Sequence, residues 1–154
     1  VAVLNKTRGS SPTAYYIAER NQDASQHFRE SAVFGKQSVY SELIELFDEC
    51  KYPDWDGHDA FPVQETTFNN VWAVIDALPL GFPLPSFNAE PDGNITLEWY
   101  RHPRWILSIS ISPDKELFFA ALFGNSSIKG SEIFFGDIPT TILNLIQRVN
   151  IQTV

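Results

Sequence analysis

Asp92-Gly93-Asn94-Ile95-Thr96-Leu97-Glu98-Trp99-Tyr100-Arg101-His102-Pro103-Arg104-Trp105-Ile106-Leu107-Ser108-Ile109-Ser110-Ile111-Ser112 is the stretch that decides the architecture of this chain. Ile95, Leu97 and Trp99 alternate with Thr96, Glu98 and Tyr100. Trp105, Leu107, Ile109 and Ile111 then alternate with Ser108, Ser110 and Ser112. A period of two places successive side chains on opposite faces of a strand. Asp92-Gly93 is a turn signal ahead of the first run. Pro113-Asp114 turns again into residues 117–123, and Gly124-Asn125 into residues 128–135. Connections this short join antiparallel neighbours, so a four-stranded meander is expected, five-stranded if residues 86–90 pair. The serine face of the second run implies a sheet with one side toward water or a partner. The pairs Phe118-Phe119 and Phe134-Phe135 must split across the two faces. Either both faces are covered, residues 1–37 covering part of the second, or an aromatic patch marks an interface.

Upstream of the sheet the period changes to that of a helix. Ser38 is placed to cap a helix in which Val39, Leu43, Leu46 and Phe47 recur at helical spacing, running to about Cys50 and stopping before Pro53. Gln64 or Glu65 opens a second helix, with Phe68, Val71, Trp72 and Ile75 on one face, and Pro79 ends it. Pro83 and Pro85 make residues 80–85 an extended connector. After the strands, Asp137 caps a last helix with Pro139 in its first turn and Ile142, Leu145, Ile146 and Val149 as its buried stripe. Residues 1–37, rich in Ser, Gln, Asn and Thr, are an expected N-terminal arm, with a short strand over 1–4 and a helix over 13–30. Residues 38–154 then form a single α+β domain, an antiparallel meander packed by two preceding helices and one C-terminal helix.

Between the first two helices lies Pro53-Asp54-Trp55-Asp56-Gly57-His58-Asp59-Ala60-Phe61-Pro62. A loop that carries Trp55 and Phe61 among carboxylates is expected to dock against the domain. Asp54, Trp55, Asp56, His58 and Asp59, with Glu98, Arg101 and His102, form the candidate binding set.

Composition narrows the function. With 11 basic against 19 acidic residues the net charge is −8. The densest basic run, Arg101-His102-Pro103-Arg104, makes no phosphate track, so duplex nucleic acid is not an expected partner. No apolar run approaches the roughly 20 residues that span a bilayer, and Val1–Lys6 is too short for a secretory signal. Cys50 is the single cysteine, which excludes an intrachain disulfide and favours a cytoplasmic setting.

Catalytic and metal signatures fit poorly. Asp54, Asp56 and Glu65 match positions 1, 3 and 12 of a calcium loop, but Asp59 stands where its glycine belongs and Pro62 intrudes. An Asx-type turn on Asp56-Gly57 accounts for the same residues. His27, His58 and His102 have no ligand spacing. Cys50 falls near a helix C-terminus, where the dipole opposes a thiolate. Glu98 lies on the face opposite Leu97 and Trp99, as a solvated partner for Arg101 or Arg104 or, if that face is covered, as a carboxyl of raised pKa. No cofactor or metal is assigned.

The motifs Asp54-Trp55-Asp56-Gly57-His58-Asp59-Ala60-Phe61-Pro62, Leu78-Pro79, Pro83-Leu84-Pro85 and Asp92-Gly93-Asn94-Ile95-Thr96-Leu97-Glu98-Trp99 resemble those of a family of small uncharacterised bacterial proteins. The resemblance covers roughly residues 40–150. It implies a bacterial, cytoplasmic, single-domain protein and brings no activity with it. The leading expectation is a non-enzymatic protein-binding module, an accessory, antitoxin-like or immunity-like partner of another bacterial protein, with sheet edges able to pair in a homodimer. The alternative is an enzyme with an acidic, divalent-metal-dependent site between the Asp54–Asp59 loop and Glu98–His102.

Overall fold

A computed structural model describes residues 35–151. The strand expected over 1–4 and the helix expected over 13–30 lie outside the described residues, as does nearly all of the arm. Within them the order is helix α1 (35–50), α2 (Glu65–Ala77), strands β1 (Ser86–Ala89), β2 (Ile95–His102), β3 (Trp105–Ile111), β4 (Glu116–Phe123) and β5 (Ser126–Ile133), then α3 (Thr140–Asn150). The five strands form one antiparallel sheet in sequence order, so the expected meander is present and residues 86–89 do pair.

Alternation sets the sheet's two faces. Ile95, Leu97, Trp99, Leu107, Ile109, Ile111, Leu117, Phe119, Ala121 and Phe123 are buried on one side. The helices lie there, α3 across β2, β3 and β4 and α2 on β2 and β3. Phe119 and Phe118 split as the pleat requires, 8% against 43% exposed. On the edge strand β5 the core position opposite Phe119 is Gly130, and the Phe119 ring fills the space a Cβ there would need.

Helices α1 and α2 form an antiparallel hairpin. Tyr40 stacks on Trp72 at 4.0 Å between ring centroids and Phe47 meets Phe68 at 4.7 Å. At one end Lys36 Nζ donates to the carbonyls of Asp76 and Leu78 (3.2 and 3.0 Å), satisfying acceptors at the C-terminus of α2 and complementing its dipole. At the other end Val63 N donates to Cys50 O at 2.8 Å. Asn70, buried on α2, ties the helix to the β3–β4 turn by donating to Ser112 O and Pro113 O at 3.0 and 3.1 Å.

Several boundaries differ from the sequence expectation. Residues 35–37 are already helical, so Ser38 sits inside α1 and does not cap it. The buried face of α2 is Thr67, Asn70, Val71, Val74 and Ile75, with Phe68 and Trp72 half-buried beneath α1. Strand β5 begins at Ser126 and ends at Ile133, which leaves Phe134 buried and Phe135 exposed beyond the ladder. Pro139, not Asp137, is the N-cap of α3, its carbonyl accepting from Ile142 N and Leu143 N at 3.0 and 3.1 Å. Ser112 leaves the sheet's polar row. It is buried in the β3–β4 turn, its hydroxyl accepting from Asp114 N and Glu116 N at 3.3 Å each.

Candidate functional site

The acidic loop is fixed by its own carboxylates. Asp54, Gly57 and Asp59 adopt left-handed backbone, with φ of 59°, 73° and 62°. That conformation is unfavourable for a residue with a Cβ, and local hydrogen bonds offset the cost. Asp54 Oδ1 accepts from Asp59 N at 2.8 Å, and Asp56 Oδ1 accepts from His58 N at 2.8 Å and Ala60 N at 3.1 Å. Asp54 N donates to Ala60 O at 2.9 Å and closes the loop. The His58 N–H, outweighing desolvation and assisted by the Ala60 N–H, holds the Asp56 carboxyl below the usual carboxylate range.

Docking of this loop is half as expected. Trp55 packs against the core and donates from Nε1 to Phe61 O at 2.9 Å, whereas the Phe61 ring is exposed. Phe61 N donates to Pro91 O at 2.8 Å. Beside it Gly93, at φ 90°, lies so close to the loop that an added Cβ would stand 3.0 Å from Pro62 O. The Asp-Trp-Asp-Gly loop and the Asp-Gly turn ahead of β2 are therefore one interlocked unit. Asp92 completes it by accepting from Asn94 N at 2.9 Å.

The second half of the candidate set stands elsewhere. The loop docks where β2 begins, and Arg101 and His102 are where β2 ends, seven residues on, a rise of roughly 23 Å. The Arg101 guanidinium donates to the carbonyl of Ile151 just past α3. His102 Nδ1 accepts from Arg104 N at 3.4 Å within the β2–β3 turn. Trp105 Nε1 donates to Arg148 O at 3.2 Å, and the Arg148 guanidinium lies 4.1 Å from the Phe123 ring centroid, so this end of the sheet clamps the end of α3. A site joining the Asp54–Asp59 loop to Glu98–His102 is not assembled, because β2 carries its two halves apart. Among the described residues no group of three His, Cys, Asp or Glu side chains converges where it could hold a metal ion. Burial, with the charge of Glu49, pushes the Cys50 thiol up, so it favours the protonated form of a core side chain.

Glu98 alone of the set points from the face opposite the helices, where no described element lies. Register arranges that face in rows across the strands. One row runs Ser86, Glu98, Ser108, Ala120, Lys129, and a second Asn88, Thr96, Ser110, Phe118, Ser131. A third runs Tyr100, Ile106, Leu122, Ser127. Tyr100 is 57% exposed and Ile133 on the same face 42%. The candidate binding set left out Tyr100, Ile106, Phe118, Leu122 and Lys129, although the split of Phe118 from Phe119 already pointed to an aromatic on this face.

Two clefts lie elsewhere among the described residues. One, of about 400 Å³, lies between Gly81–Pro83 and Gln147, Asn150 and Ile151. The other, about 260 Å³, is lined by Glu42, Glu45, Leu46, Glu49 and Phe87. No described helix is long and apolar enough to cross a membrane. No family model, curated protein or solved structure matches the chain.

Proposed function

We propose that this is a non-enzymatic protein-binding module whose docking surface is the open face of the sheet, the side that no described element covers. It would act in the bacterial cytoplasm as an accessory, antitoxin-like or immunity-like partner. The observation that carries the reading is the position of Tyr100, Ile106, Phe118 and Leu122 on one face with no described element over them. Tyr100 and Phe118 are exposed and Ile106 and Leu122 half-buried, and apolar side chains reaching the surface among polar ones characterise interaction surfaces. The charge balance of −8 supports a protein partner over a nucleic acid.

Affinity capture from bacterial extract tests it. The protein is expected to retain a specific partner that Tyr100→Ser and Phe118→Ser each release, with melting temperature unchanged. Equal retention by both variants would count against the open face as the docking surface. In this reading the acidic loop supports the fold. Trp55→Ala is expected to lower the melting temperature and to leave capture by the remaining folded protein intact.

A further inference from the structure

We infer that the open sheet face docks a second copy of this chain, face to face, about a two-fold axis that runs parallel to the strands between β3 and β4. The inference rests on the reading of that face as a docking surface and names its occupant.

The register decides the geometry. Glu98 on β2 and Lys129 on β5 stand in one row, separated by Ser108 and Ala120 on the two central strands. Rotation about an axis between β3 and β4 exchanges β2 with β5 and β3 with β4 while keeping every residue in its row. Glu98 then lies over Lys129 of the second copy, and Lys129 over its Glu98. A two-fold axis in the same plane but perpendicular to the strands leaves each strand over itself. Drawn through the same row, it sets Glu98 against Glu98 and Lys129 against Lys129, a like-charge arrangement that costs free energy.

Size complementarity selects the same axis. Phe118 falls over Ser110 of the second copy, Tyr100 over Ser127, and Thr96 over Ser131. Each aromatic ring thus meets a small side chain. Ile106 and Leu122 fall over one another and form an apolar patch one row along from the two charge pairs, which flank Ser108 and Ala120. Sheets packed this way stand about 10 Å apart, a gap that an extended Glu facing an extended Lys can bridge. The four strands that overlap, β2 to β5, stand about 4.8 Å apart and are about eight residues long, and present roughly 500 Å² per copy. Two such faces bury roughly 1,000 Å² in total, the size of a weak, transient interface. The association is therefore weak and open to exchange with another protein.

Sedimentation equilibrium of the full chain tests the proposal with charge reversals, circular dichroism confirming that each variant folds. Wild type is expected to dimerise at about 100 µM, an affinity weak by the scale of specific complexes. Glu98→Lys alone and Lys129→Glu alone each turn two attractions into two repulsions and weaken the dimer about 30-fold. The double variant E98K/K129E restores it, and an equimolar mixture of the two single variants forms the heterodimer that neither forms with itself. Wild type that stays monomeric at that concentration overturns the second copy as occupant. If such a monomer still captures a partner that Phe118→Ser releases, the docking surface stands and only its occupant changes. A dimer indifferent to both reversals and to Phe118→Ser would assign association to another surface, such as the β5 edge, and overturn the proposal.

Discussion

Asp56 shows how a residue that resembles a ligand serves the backbone instead. Its Oδ1 accepts from both His58 N and Ala60 N, the largest cause of its lowered pKa being the His58 N–H. A carboxyl whose pKa is lower folded than unfolded stabilises fully above its unfolded value, near 4, and loses that contribution as pH falls through its folded value. Melting temperature measured from pH 6 to pH 2 is thus expected to fall more steeply for wild type than for Asp56→Asn, with the curves converging in acid. Parallel curves would show that the charge contributes nothing. On α2 the Thr67 hydroxyl is fully buried with no partner among the described residues, a loss of roughly 1–3 kcal/mol relative to water. Thr67→Val keeps the shape and is expected to raise stability by about 1 kcal/mol in urea unfolding. Asn70→Ala removes the donors to the buried Ser112 carbonyl and the half-buried Pro113 carbonyl and is expected to cost about 2 kcal/mol by the same measurement.

Glycine positions hold the elements in place. Gly130 is where β5 passes under the Phe119 ring, and a Cβ would stand 2.5 Å from that ring's Cζ. Gly130→Ala must displace a core aromatic, so a loss of about 2 kcal/mol is expected, recovered in large part by the pair Gly130→Ala with Phe119→Leu. Gly93 carries both a left-handed backbone and the close approach to Pro62 O, so Gly93→Ala should loosen the loop and the turn together. Protease nicking of both segments, read by mass spectrometry, would reveal it. The strands were legible in the sequence because alternation and turn residues agreed from Asp92 to Phe123. β5 was less so, since Ser126-Ser127-Ile128-Lys129-Gly130-Ser131-Glu132-Ile133 is an edge with a glycine at a core position and no clean alternation. Ser38 and Asp137 had the composition of caps, but burial of Val39 favours a helix that continues through Ser38, and proline's fixed backbone suits Pro139 as the α3 boundary. The acidic loop was recognisable as a docked unit from Trp55. Its distance from Arg101 and His102 was not, because sequence spacing does not tell which way a strand runs from a loop.

At the scale of the molecule, three helices cover one side of a five-stranded sheet and the described chain leaves the other side open. The two motif segments are explained by that architecture. Asp54–Pro62 and Asp92–Trp99 are far apart in sequence, yet Phe61 N on Pro91 O and Gly93 against Pro62 O make them one joint between the helical hairpin and the sheet. This joint supports the fold, and the proposed docking surface is the opposite sheet face, onto which Thr96 and Glu98 of the second segment point. A photo-crosslinking phenylalanine analogue at position 118, compared with one at exposed Ala73 on α2, tests this division most directly. Illumination of the full chain in bacterial extract is expected to give a discrete protein adduct from position 118 and none from 73. An adduct from 73 with none from 118 would contradict the account.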